Sequence, residues 1–348
     1  MHPDIADHVR VHVDATTNQV TEQPRVMQSD VTSWHGLMVA AIGSGNGSAS
    51  GGVYRGIASE SDLVLIKVSN SNGEIGNLNG QVKEADILRG CKWLLQAHKR
   101  FNVRIVNISV GGDRVSNDAA HSLHVCVRQL TEAGIVVVIA AGNRGEKRLV
   151  PPASSPHGIV IGGYNDNNSL DRADWTGYHS NYGTAFDGTT KPDIIAPAQW
   201  IASPILPDTD VAKQAQWLGP LLQDTSGTAL RTLLSDGCEA LDIPKPTTRR
   251  LGKALHQTLQ ERIHAHKLIN EGYQHVDGTS VAAPIVSSVI AQMLEANPTL
   301  SPEQIRTILK NTAIPVDGIP QEQQGAGAIS ARAALLAALQ WQNTPESI

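Results

Sequence analysis

The chain has 348 residues, 41% of them hydrophobic, enough to bury the core of one large domain or two ordinary ones. Its 28 basic and 33 acidic residues leave a formal charge of -5, which excludes general electrostatic attraction to nucleic acid or to an anionic membrane and leaves small molecules or peptides as the ligands to expect. Three cysteines, Cys91, Cys126 and Cys238, are too few and too scattered for a disulfide framework, and none forms a C-x-x-C pair; they read as buried or idle thiols.

The first residues, MHPDIADHVRVHVD, have no basic start and no apolar run of seven or more, so no signal peptide is read there, and no later stretch is expected to reach membrane-span length. Short β-branched runs then alternate with longer helical patterns, the signature of βαβ units, a parallel sheet and the α/β class. Strands are expected at 62–68, 103–109, 135–140 and 158–162, each nearly continuous in apolar residues, as a strand covered on both faces must be. Helical spacing occupies 81–99 and 117–133.

From about 198 to 276 no strand pattern is legible. Leu251, Leu255, Leu259 and Ile263 recur every four residues there and form one apolar helix stripe, while Lys245, Arg249, Arg250, Lys253, Arg262 and Lys267 colour the remainder basic. This stretch, about 199–275, reads as a helical insertion whose stripe needs a cover. Further on, Ser301 and Pro302 followed by Glu303 and Gln304 start a helix through Thr312, and 329–341 is an Ala/Leu-rich last helix.

The residues with the clearest chemistry are Gly278-Thr279-Ser280-Val281-Ala282-Ala283-Pro284, followed by a small-and-apolar helix. A serine in the first turn of a buried helix sits near backbone N–H donors, which suits a nucleophile that passes through an oxyanion. The plainer alternative is a helix cap. Such a serine needs a base titrating near neutrality, and His is the usual choice. Asn143 can donate a side-chain N–H to an oxyanion, or can be an ordinary turn residue after Gly142. Gly43-Ser44-Gly45-Asn46-Gly47 lacks the last glycine and the lysine of nucleotide-binding loops. The alternating His264 and His266 point to different sides of a helix, which disfavours a metal site.

Read in order, these segments resemble the subtilisin-like serine peptidases, the subtilases. His35-Gly36-Leu37-Met38-Val39-Ala40 is similar to their H-G-T-x-V-A motif, with Trp34 and Leu37 departing from the usual Gly and Thr beside the histidine. Asn107-Ile108-Ser109-Val110-Gly111-Gly112 is similar to N-x-S-L-G, Ala140-Ala141-Gly142-Asn143 to A-A-G-N, Lys191 through Pro197 to K-P-D-x-x-A-P, and Gly278 through Pro284 to G-T-S-x-A-x-P. The resemblance covers nearly the whole chain except the insertion. It implies a three-layer fold in one domain over 1–348, with a mostly parallel sheet between helices.

In the activity implied, serine endopeptidase, Ser280 is the nucleophile, His35 its base, and Asn143 with the Ser280 amide the oxyanion donors. Ser109, Val110 and Gly111 form one substrate wall, with Ala141 and Gly142 on the other. Peptide or protein substrates follow. No cofactor is expected; some relatives bind calcium, but no Asp/Asn-rich loop here matches such a site and no metal is assigned.

In relatives the H-P-D-L motif, similar to His2-Pro3-Asp4-Ile5, follows the strand and turn that carry the catalytic Asp. The resemblance therefore implies that this strand lies outside residues 1–348 and that the chain by itself is poorly stable and slow. Asp14 is a weak substitute, since it comes after that motif and lacks the following Gly. The alternative function is a catalytically impaired member of the fold that binds peptides or a partner, and a docking partner for the insertion fits either reading.

Overall fold

The computed structural model describes residues 1–23, 33–70, 81–112, 114–244 and 252–341. Its centre is a parallel sheet built from β-branched runs. We label the strands β1 (Val9–Asp14), β2 (Leu63–Lys67), β3 (Ile105–Ile108), β4 (Val136–Ala140), β5 (Ile159–Asn165) and β6 (Ile194–Pro197). Strands β3, β4, β5 and β6 pair in that order, all parallel. On the other side, β1 and β2 form a separate parallel pair, edged by the short antiparallel strand Thr21–Gln23.

Each central strand is apolar on both faces because helices cover both. On one face lie α1 (Trp34–Ser44), α6 (Thr279–Ala296), α7 (Pro302–Thr312) and α8 (Ala331–Gln340); on the other lie α2 (Glu84–Ala97) and α3 (Ser122–Glu132), while α4 (Asp210–Leu218) and α5 (Lys253–Ala265) belong to the segment discussed below. The alternation along β4 shows the division. Val136 and Val138 pack with Val286, Ile290 and Met293 of α6, while Val137 and Ile139 pack with Leu94 of α2 and Leu123 and Leu130 of α3. The start of α7 follows from its sequence, because Ser301 and Gln304 form a reciprocal capping box ahead of Pro302.

Several expectations change. The 18-residue α6 is long and apolar enough to pass for a membrane span, against the expectation that no such stretch exists; it is apolar because it runs through the core between sheet and helices. The strand expected at 158–162 continues to Asn165, and Ile194–Pro197 is a strand that the motif around it hid. Within 198–276, where no strand was legible, β7 (Ile201–Pro204) and β8 (Tyr273–Val276) pair antiparallel. Four-residue strands joined by a loop of nearly seventy residues carry too short an alternation to stand out.

That hairpin is the root of the helical segment. Leu218, Leu233, Cys238, Leu241 and Leu259 form a core of their own, with Leu255 and Ile263 partly buried beside it, so the apolar stripe of α5 is covered from within the segment. Leu251, Lys245, Arg249 and Arg250 lie outside the described residues. The root is tied to the N-terminal residues by the Tyr273 hydroxyl, which donates to Asp4 Oδ2 at 2.7 Å, and Leu206 packs against Ile5, Leu37 and Ala40.

Between β2 and β3 the sheet is interrupted. Among the described residues β2 pairs only with β1, and β3 only with β4. A cavity of about 1140 Å³ separates them, lined by both strands, by α1 and α6 on one face and by α2 on the other.

Candidate active site

Ser280 stands in the first turn of α6, after Gly278, whose φ of 139° favours glycine. Pro284 sits four residues further on. Having no N–H, it leaves the Ser280 carbonyl without its intrahelical donor. Ser109, just beyond β3, supplies a replacement: its hydroxyl donates to the Ser280 carbonyl at 3.2 Å, and the Ser280 hydroxyl donates back to the Ser109 carbonyl at 3.3 Å. The sequence expectation gave Ser109 a place in a substrate wall; its clasp on Ser280 was not legible, because it depends on which carbonyl a proline leaves open.

Asn143 is held by the neighbouring threonine. Its Oδ1 accepts from the Thr279 N–H at 2.8 Å and from the Thr279 hydroxyl at 2.9 Å. A main-chain N–H can only donate, so the contact fixes the amide orientation and leaves Nδ2 as the donor end. Thr279 Oγ1 also accepts from the Gly142 N–H at 3.0 Å, joining both loops. Gly142 has φ of 104°, and a Cβ there would lie 2.7 Å from Asn181 Nδ2. Asn181 in turn accepts from the Arg144 N–H at 2.9 Å, a support with no signal in the sequence.

Ser280, Asn143, Ser109, Val110, Gly111, Ala141 and Gly142 thus line one pocket of about 290 Å³. Arg144, Glu146 and Arg148 reach the same pocket; Glu146 and Arg148 are 4.0 Å apart, a charged border that the sequence reading missed. Glycine-rich stretches of the two loops thus line the pocket together with Ser280 and a fixed amide donor.

His35 lies in the first turn of α1. Met38 and Ile42 pack with Val281, and Gly43 lies against Pro284, so the middle and last turns of α1 lie against the first turns of α6, the helix that carries Ser280. His35 and Ser280 thus stand on two packed helices. They are not joined: among the described residues the imidazole makes no hydrogen bond, and its ring contact is an edge-to-face one with Trp34, centroids 5.6 Å apart. Burial pushes the His35 pKa below its ordinary value, with no charge to offset it. His35 also lines the cavity between β2 and β3.

The structure does not bring Asp14 to His35. Asp14 ends β1, on the far side of β2 from that cavity, and its Oδ1 accepts from the Thr16 N–H at 2.8 Å and the Thr16 hydroxyl at 2.6 Å. Among the described residues no group of three His, Cys, Asp or Glu side chains converges as a metal site, and the three cysteines are buried and unbridged.

Comparison with known proteins agrees with this architecture. The chain is 29% identical over 338 residues to serine protease AprX of Bacillus subtilis and 24% identical over 330 residues to alkaline elastase YaB of a Bacillus species, in each case covering 95% of this chain and 62% of the relative. It therefore spans about three fifths of the length of those relatives. Among solved structures, fervidolysin from Fervidobacterium pennivorans, described as a keratinolytic enzyme related to subtilisin, superposes with a TM-score of 0.63 at 20% identity, over 99% of this chain and 41% of that one. The fold is subtilisin-like. The model of the subtilase family matches residues 1–327, and the chain is a member of that family.

Proposed function

We propose that this chain is a serine endopeptidase domain, with the helical segment 199–275 as an insertion in it. Ser280 attacks the peptide carbonyl, His35 takes and returns the proton, and Asn143 Nδ2 with the Ser280 amide holds the oxyanion, on a substrate lying between 109–111 and 141–142. The observation that carries this reading is the convergence of Ser280 and the oriented Asn143 amide on one pocket. A fluorophosphonate probe tests it: covalent labelling at Ser280, located by peptide mass spectrometry, is the expected result, and an unlabelled chain overturns it.

A second reading, a peptide-binding member with little catalysis, is supported by one observation. The Ser280 hydroxyl donates to the Ser109 carbonyl, and the partly buried His35 ring has no hydrogen bond among the described residues. The two readings differ in pH behaviour. If His35 is the base, labelling falls on acidification with a midpoint below 6.5, because burial alone acts on the ring. Stability follows in the same direction. Between the folded pKa and 6.5 the unfolded chain binds more protons, so stability is complete above 6.5 and is lost as pH falls through that window. Labelling rates from pH 4.5 to 8 check this, and a rate independent of pH removes His35 from the reaction.

For the helical segment we propose a gating role. Its root runs directly into Asp277 and the Ser280 turn, and Lys267 is ion-paired with Asp277, although the 290 Å³ pocket itself is lined by residues outside the segment. Replacing 208–270 by a short Gly/Ser linker, which retains the β7–β8 hairpin, is expected to raise cleavage of a folded protein relative to a small peptide. Competition assays on mixed substrates read that ratio. An unchanged ratio assigns the segment to docking instead.

A further inference from the structure

A left-handed backbone strains every residue that has a side chain, and Asn and Asp least, which is why turns use them there. Among the described residues seven other than glycine have positive φ, and five of those are Asn or Asp. The other two are Trp200, with φ of 58°, and Lys267, with φ of 49°, and they touch: Lys267 Nζ lies 4.4 Å from the centroid of the indole. His275 meets the same ring edge-on, centroids 5.5 Å apart. Trp200 is still 45% exposed. A bulky apolar side chain is thus held out in a strained conformation where Asn or Gly would cost the fold less.

The place of this indole is fixed from two sides. The Trp200 N–H donates to Asp277 Oδ1 at 2.8 Å, and Asp277 is also the ion-pair partner of Lys267. Asp277 stands three residues before Ser280, so their Cα atoms are at most about 11 Å apart. Ile201, the residue after Trp200, packs in one cluster with Val276, Val281 and Trp34, the neighbour of His35. Trp200 is therefore fastened between the turn that leads to Ser280 and the helix that carries His35, yet it does not line the 290 Å³ pocket.

We propose that Trp200, steadied by Lys267, receives the leaving part of the substrate and selects an aromatic or large aliphatic side chain within about three residues beyond the scissile bond. This deepens the peptidase reading and rests on Ser280 as the nucleophile. The acyl part occupies the pocket, because the oxyanion donor Asn143 lies there, and the leaving part runs out of it over the Asp277 turn. Lys267 lies over the ring with its ammonium engaged by Asp277, so the exposed part of the indole offers apolar contact.

The test compares two internally quenched peptides that share Gly-Ala-Ala-Leu on the acyl side and continue as Ala-Phe-Gly or Ala-Ser-Gly, counting only cuts after Leu, located by mass spectrometry. The parent chain is expected to cut the Phe peptide with a kcat/KM about three- to tenfold above that for the Ser peptide. Trp200→Asn, which suits the left-handed backbone, should bring that ratio to about one, and Trp200→Tyr should keep most of it. Each rate is divided by the variant's own fluorophosphonate labelling rate, which reports the serine without a leaving peptide. The urea midpoint of Trp200→Asn should equal or exceed the parent's, because strain is relieved.

A ratio of about one in the parent, a ratio that survives Trp200→Asn, or a urea midpoint of that variant well below the parent's overturns the proposal, the last by assigning the indole to the fold. Labelling at Ser280 together with a parent ratio of one removes the subsite and leaves the peptidase reading. Absent labelling removes the peptidase reading. In that case, or where neither peptide is cut, anisotropy of the two labelled peptides on the Ser280→Ala chain decides. A preference for the Phe peptide that Trp200→Asn removes keeps the indole as a peptide-binding residue; equal binding, or none at about 1 mM, overturns it.

Discussion

Ser280→Ala is expected to abolish fluorophosphonate labelling and to lower peptide hydrolysis to the background left by the oxyanion donors, because a serine and its base act as one unit. The reasoning is local. The hydroxyl is the only group removed, and its one hydrogen bond among the described residues goes to the Ser109 carbonyl at 3.3 Å. The reverse bond, from the Ser109 hydroxyl to the Ser280 carbonyl, uses main chain that the substitution keeps. Stability should therefore stay within about 1 kcal/mol of the parent in urea unfolding. His35→Ala should be nearly as severe in turnover, since a nucleophile without its base gains little from remaining in place. Labelling that survives in the Ser280 variant would point to a different nucleophile.

The largest effect on stability is expected from Lys191→Met. Lys191 and Asp193 are both fully buried, with Nζ 2.7 Å from Asp193 Oδ2 and 2.9 Å from the Gly158 carbonyl. Asp193 Oδ2 also accepts from the Val160 N–H at 2.7 Å, fastening the turn before β6 to the middle of the sheet. Burial pulls the Lys191 pKa down although Asp193 pulls it up, a sign of how much of the pair's attraction is spent on desolvation. Taking away the cation leaves a carboxylate in the core with Arg306 4.0 Å away as the remaining positive group, and such a loss costs about 3–5 kcal/mol. Lys191→Met combined with Asp193→Asn should recover part of it, because the amide oxygen can still accept from Val160 while the charge is gone. Urea midpoints of the parent, both single variants and the double variant give the coupling directly. A cost below about 1 kcal/mol for Lys191→Met would mean that water reaches the pair.

The sheet was legible because its central strands are apolar on both faces; the continuous run Ile135 to Ala140 cannot be an exposed strand and is too short for a helix. The start of α7 was legible for a similar reason, since Ser301 and Gln304 encode their own cap. Local signals of this kind need no knowledge of distant partners. The hairpin of β7 and β8 was hidden because its two halves are separated by a segment with its own core. Residues flanking the candidate nucleophile were legible as types, but the hydrogen bonds that orient them were not. Thr279 holds Asn143 across 136 residues of sequence, and Asn181 supports Arg144 from another loop. The lack of any contact between Asp14 and His35 is likewise a matter of strand order: β1 lies outside β2, and a strand's place in a sheet is not written in its own residues.

Pro284 gives the reactive turn an unusual mechanical allegiance. In an uninterrupted helix the first carbonyls belong to the helix, and a residue there moves with the rod behind it. Here the Ser280 carbonyl is tethered to the Ser109 hydroxyl, so the position of the serine is set by where β3 ends as much as by α6. β3 also lines the cavity that separates it from β2. Stiffening β3 would steady the serine without touching it, and a loosened β3 would let it wander, so the sharpness of the nucleophile's position becomes a gauge of how firmly that strand is held.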